Sequence, residues 1–170
     1  MEKTQIVLDA DVLIHFSKAE RLSLLPEILA EYNYVILSTV YEEAKTVRQQ
    51  LDNQARWMRN IRIVKFQPTG EMRNEYAILS GQYGRGESAC MAYCKYTHNV
   101  IGSSNLRDIT SYCQNNGITY LTTLDFLYYA FIRKIMTKRE CHDFIATVNA
   151  KGSRLPNNIK IDQYKPSFSL

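Results

Sequence analysis

Glycine and proline are scarce in this 170-residue chain, seven and four in number. Neither gathers into a run, and no internal repeat, low-complexity segment or linker is evident. No apolar stretch approaches the roughly 18 residues that a membrane span requires. The N-terminus also lacks the basic-then-apolar pattern of a secretory signal. A soluble, cytoplasmic protein is the expectation. Cysteine is sparse as well, with four residues and no disulfide-framework pattern for such a setting. Cys90 and Cys94 share a face of an expected helix, but no second Cys or His pair stands at zinc-finger spacing. Buried thiols that pack as small hydrophobes are expected instead. His15, His98 and His142 are scattered, and none is coupled to a Ser or Cys nucleophile. A large excess of one charge is missing too. The net charge of +4 permits a polyanionic partner without demanding one.

What is present is the composition of a folded domain: 45% hydrophobic and 22% charged residues, enough for a sizeable core. The apolar pattern alternates between short continuous runs and helix-like spacing. Ile6-Val7-Leu8, Tyr34-Val35-Ile36-Leu37, Asn99 to Gly102 and Ile118 to Leu121 read as buried strands, and Arg62 to Phe66 as a half-exposed edge strand. Helical spacing follows each: from Val12; over Leu22 to Ala30, interrupted by Pro26; from Val40, with Ser38 and Thr39 as N-caps; and over Gln49 to Asn60. It returns over Met72 to Gln82, Glu87 to Tyr96, Leu106 to Gln114, Leu124 to Ile135 and Thr137 to Ala150. This rhythm predicts an α/β fold with a parallel sheet between helical layers. Residues 1–150 form the expected domain and residues 151–170 a tail packed on it or extending from it.

Acidic residues recur where strands hand over to helices. Asp9 follows the first strand, Glu43 lies one turn into the helix after the second, and Glu87 opens a helix after a glycine turn. Asn105 and Asp108 begin the helix after Gly102. Each alone suits a helix N-terminus through the macrodipole, and Asp11 reads either as a plain N-cap or as a candidate metal or catalytic group beside Asp9. Together they point to one crevice past the strand C-termini, where ligands of open α/β sheets bind. Convergent carboxylates repel one another, and a hard cation such as Mg²⁺ relieves that repulsion.

These residues resemble the PIN domain, the nuclease fold of VapC-like toxins in toxin–antitoxin pairs and of several RNA-processing enzymes. Val7-Leu8-Asp9-Ala10-Asp11-Val12-Leu13-Ile14 is similar to that family's first strand, aspartate and helix start. Val40-Tyr41-Glu42-Glu43 resembles its second acid, Gly84-Arg85-Gly86-Glu87-Ser88-Ala89 its third, and Ser103-Ser104-Asn105-Leu106-Arg107-Asp108-Ile109 its fourth segment. The resemblance implies a three-layer α/β/α sandwich with a central parallel sheet of four to five strands. It also implies an endoribonuclease that uses Mg²⁺ or Mn²⁺. Asp9, Glu43, Glu87 and Asp108 would be catalytic, with Asn105 completing the metal shell. Arg85 and Arg107 would guide RNA; Arg56, Arg59 and Arg62 would form an outer basic face with Trp57 to stack on bases.

The partners so implied are RNA, an antitoxin-like protein inhibitor and a second copy of the chain. The chain departs from the pattern in two places. Many PIN nucleases carry one or two aspartates where Ser103, Ser104 and Asn105 stand, and the segment from about Thr137 exceeds the compact toxins. A degenerate PIN-like module that binds nucleic acid or protein without cleaving is the alternative. A metal-dependent phosphatase or a phospho-receiver is a further rival, but no aspartate–lysine pair of the receiver kind is found.

Overall fold

The computed structural model describes residues 3–170. The chain opens with β1 (Gln5–Leu8) and turns at once into α1 (Ala10–Lys18). A 3-10 turn over Leu22–Leu24 leads into α2 (Leu25–Ile28), whose first turn holds Pro26, a position where a missing N–H breaks no helical bond. β2 (Asn33–Leu37) runs directly into α3 (Ser38–Glu43). Then α4 (Arg48–Asn53) widens into a π-helical turn over Gln54–Met58 and stops at Arg59, whose φ is +53°. β3 (Ile61–Val64), α5 (Gly70–Ser80), α6 (Arg85–Thr97) and β4 (Val100–Gly102) follow. The chain closes with α7 (Leu106–Asn116), β5 (Tyr120–Leu121), α8 (Thr123–Ile132) and α9 (Lys138–Ala150). Among the described residues, no helix is long and apolar enough to cross a membrane.

All five strands are parallel, in the order β3-β2-β1-β4-β5. β1 is central, and Ile6, Val7 and Leu8 are fully buried, as a strand covered on both faces requires. One helical layer packs around Phe16 of α1, whose ring meets Phe126 of α8 and Phe144 of α9 edge-on at 6.1 and 4.8 Å. The other layer is built from α5, α6 and α7. Cys90, Cys94, Cys113 and Cys141 are free thiols buried in this core.

Two details differ from the sequence reading. Ser38 does not cap α3; its hydroxyl accepts the Phe66 N–H and so ties the start of α3 to the end of β3. Thr39 Oγ1 is buried without a partner. The contact that redirects Ser38 lies 28 residues away, so local capping preference has no means of registering it. Beyond α9, Leu155 and Ile161 are buried, Tyr164 donates to the buried Asp125 carboxylate, and Tyr129 donates to the Phe168 carbonyl.

Candidate active site

The chain reverses its strand order at β1: β2 lies on one side, β4 on the other, and the helices that follow β1 and β4 leave toward opposite layers. That reversal opens a crevice at the strands' C-terminal edge. The β1–β4 ladder ends with Leu8 opposite Gly102, and Asp9 N–H donates to the Gly102 carbonyl at 2.8 Å. Asp9 and Ser103 therefore stand side by side just past the ladder.

Asp9, not Asp11, is the N-cap of α1, accepting the Ala10 N–H at 2.8 Å and the Ser103 hydroxyl at 3.4 Å. Asp11 instead reaches across the crevice to accept the Ser104 N–H at 2.8 Å, while its other oxygen takes the Val12 N–H. Glu43 closes α3 and accepts the Gly86 N–H at 3.1 Å, which draws it against the first turn of α6 beside Glu87. The side-chain nitrogen of Asn105 donates to both Glu87 at 2.9 Å and Asp108 at 2.8 Å. The expected carbonyl ligand thus offers its N–H₂ to two acids.

The electrostatics follow from this crowding. Burial, with Asp11 and Glu43 nearby, pushes the Asp9 carboxyl up to about 7. Burial and the charges of Asp9, Asp108 and Asp11 push Glu87 up to about 8, against the Asn105 hydrogen bond. Burial also raises Asp11, opposed chiefly by the Ser104 and Val12 N–H groups. Among the described residues, no lysine or arginine forms an ion pair with Asp9, Asp11, Glu43, Glu87 or Asp108.

A family model for the PIN domain matches residues 5–162, nearly the whole chain. The chain belongs to the PIN-domain family. A comparison with curated proteins gives no match. PIN domains are generally nucleases that act on nucleic acid and typically use divalent metal ions.

The donors of this PIN domain suit such an ion chemically: every candidate ligand is an oxygen, and among the described residues the buried Asp9 and Glu87 carboxylates have no ion-pair partner. Among the described residues, no three acidic, histidine or cysteine side chains are already drawn around one point. Their oxygens are spread over the Gly86, Ser104 and Asn105 N–H groups instead. Arg85 and Arg107 are exposed at the rim, and the neighbouring Tyr76, Glu42 and Glu43 hold the Arg85 guanidinium above its ordinary pKa.

Asp11 is the residue of this cluster that helix-capping logic undervalues. Its signal is the Asp-x-Asp spacing at the strand end, yet its role is set by an N–H 93 residues away. A second polar chain backs the crevice. Thr123 N–H donates to Ser104 Oγ, Ser104 Oγ to Thr123 Oγ1, and Thr123 Oγ1 lies 2.8 Å from His15 Nδ1. Burial and the nearby Lys18 push His15 down to about 4, so it is neutral at physiological pH.

Gly86 offers a local test. A Cβ there would stand 2.5 Å from Glu43 Oε2, so an alanine must displace that carboxylate. Alanine is otherwise favoured in a helix by up to about 1 kcal/mol. Gly86→Ala is therefore expected to leave the melting temperature within a few degrees of wild type while weakening Mg²⁺ or Mn²⁺ binding by about ten-fold or more. Calorimetric titration of the metal, with thermal unfolding alongside, measures both.

Proposed function

We propose that this PIN domain is an endoribonuclease that hydrolyses RNA phosphodiester bonds with Mg²⁺ or Mn²⁺. The observation that supports the reading is that Asp9, Asp11, Glu43, Glu87 and Asp108, from four separate segments, line one crevice and are linked there through Ser103, Ser104, Gly86 and Asn105. Burial and mutual repulsion raise the Asp9 and Glu87 carboxyls, although no three of the acids are yet drawn around one point. Folding does not gather unpaired acids without a use, because each charge removed from water costs free energy. Asp9, Glu43 and Glu87 would hold the ion, with Asp11 and Asp108 beside them. When bound, it supplies an acidified water and neutralises charge on the attacked phosphate.

The chain's own residues set the stage for that chemistry. Gly86 N–H aims Glu43, Ser104 N–H aims Asp11, and Asn105 spaces Glu87 from Asp108. The rim arginines Arg85 and Arg107 would hold flanking phosphates, as charge-assisted bonds to phosphate favour arginine.

One observation favours a second reading, a PIN module that binds without cleaving. Ser103, Ser104 and Asn105 are neutral, and the Asn105 amide already satisfies two of the acids. A single assay separates the two. Purified protein with single-stranded RNA is expected to produce cleavage in Mg²⁺ or Mn²⁺, lost with EDTA and restored by adding the metal in excess. Binding without products under any of these conditions would replace the enzyme with the module. The toxin role is the finer proposal: induced expression of the wild-type chain should arrest growth, and Asp9→Asn should relieve the arrest.

A further inference from the structure

We infer that the groove around β3 binds single-stranded RNA at a place separate from the acidic crevice. Two cavities meet there and share Arg59 and Arg62. The first, about 250 Å³, lies at the N-terminal edge of the sheet and also takes in Lys3, Asn60 and Tyr32. The second, about 620 Å³, runs along the outer side of β3, past Arg56 and Ile63 to Tyr41. Tyr41 stands two residues before Glu43 in α3, and at that spacing the two side chains leave opposite faces of the helix, which keeps the groove apart from the acids.

The charge of this groove selects its occupant. Lys3, Arg56 and Arg59 line it, and among its described lining residues Asp52 is the one acid. That acid already accepts the Tyr41 hydroxyl at 2.7 Å. Beside the cations, the π-helical turn presents Trp57, 83% exposed, and Met58, 50% exposed, while Ile63 is 37% exposed on the adjacent strand. The turn ends at Arg59 in the left-handed region, a backbone conformation uncommon for a residue with a side chain. An exposed tryptophan among arginines matches the pattern of single-strand binders, where bases stack on an aromatic face and cations follow the phosphates. A protein strand added to the edge of β3 would meet apolar side chains but also the guanidinium groups of Arg56 and Arg59. The inference rests on the nuclease reading for its choice of RNA among polyanions, but it is read by binding alone.

Trp57 is the chain's single tryptophan, and it stands on the π-helical turn that also carries Arg56, so its fluorescence reports on that turn. The experiment uses the full chain carrying Asp9→Asn, which keeps RNA intact whatever the crevice does. Titration with a ten-nucleotide oligouridylate should quench Trp57. Labelled-RNA anisotropy should show Trp57→Ala weakening binding by about five-fold or more. Arg56→Ala and Arg59→Ala should each lower the salt slope of log K by about 0.7. Arg139→Ala, on the exposed face of α9 beside Asp143, is the control and should change neither quantity. RNA that binds with Trp57 fluorescence unchanged, or binds the arginine variants with an unaltered slope, overturns the assignment. So does a Trp57-dependent dimer in sedimentation that RNA fails to compete. Trp57→Ala, Arg56→Ala and Arg59→Ala placed in the wild-type chain, without Asp9→Asn, that all cleave RNA with unchanged KM would overturn it too, while leaving the nuclease reading standing.

Discussion

Asp9→Asn is expected to abolish metal-dependent cleavage and, at pH 8 without metal, to raise the melting temperature. The activity arm follows from the loss of a central anionic ligand, for which about two to three orders of magnitude or more is the expected scale. The stability arm follows from linkage. The folded-state pKa values of Asp9 and Glu87, about 7 and about 8, lie above their ordinary values of 3.8 and 4.5. The folded chain therefore holds protons that the unfolded chain releases between roughly pH 4 and 8, and stability falls as pH rises through that window. Metal-free wild type should melt higher at pH 5 than at pH 8.

The amide introduced by Asp9→Asn would carry no charge to repel, yet asparagine caps a helix about as well as aspartate. The bond to Ala10 N–H can survive the change. The net gain at pH 8 is on the order of 2 kcal/mol, or roughly 4–8 °C for a chain of this size. Saturating Mg²⁺ should raise the wild type's melting temperature at pH 8 and leave the variant's nearly unmoved. A variant that melts well below wild type at pH 8 would mark Asp9 as a structural cap whose charge holds the β1–α1 junction.

The residues that can be read from the sequence are those whose environment is local. Ile6-Val7-Leu8 announces a strand buried on both faces, and an acid after such a strand has few plain explanations; Asp9 lies where that logic places it. Likewise Gly117, at φ +64°, ends α7 as the Asn-Asn-Gly run predicts. What cannot be read depends on partners far along the chain. Asp11 is aimed by Ser104, Ser38 is claimed by Phe66, and Asp125 receives the Tyr164 hydroxyl. No short local window of the chain contains both members of any of these pairs. The π-helical turn that exposes Trp57 is hidden too, because its residues carry ordinary helix propensity and only packing against β3 decides where the helix widens.

Asn105→Asp is expected to make folding depend on metal far more than it does in the wild type. Asn105 now donates from one nitrogen to Glu87 and Asp108, acting as a neutral spacer between two acids. A carboxylate at the same place removes both donor bonds and adds a third negative charge. Each charge-assisted bond is worth about 1.5–3 kcal/mol, so without metal at pH 8 the variant should lose several degrees of melting temperature. The loss should shrink toward pH 5, where Glu87, with its carboxyl raised to about 8, is protonated. With Mg²⁺ the sign reverses: a further anionic oxygen beside Glu87 should tighten metal binding by about ten-fold and enlarge the metal-induced rise in melting temperature. Asn105→Ser separates charge from hydrogen bonding, since it removes the spacer without adding an anion. It should destabilise modestly and leave metal affinity within a few-fold. Calorimetric Mg²⁺ titration and thermal unfolding at the two pH values read every arm. If Asn105→Asp binds Mg²⁺ no more tightly than Asn105→Ser, then Asn105 faces no ion. The chemistry of the crevice would in that case rest on Asp9, Asp11, Glu43 and Glu87, with Asp108 serving only to hold the first turn of α7.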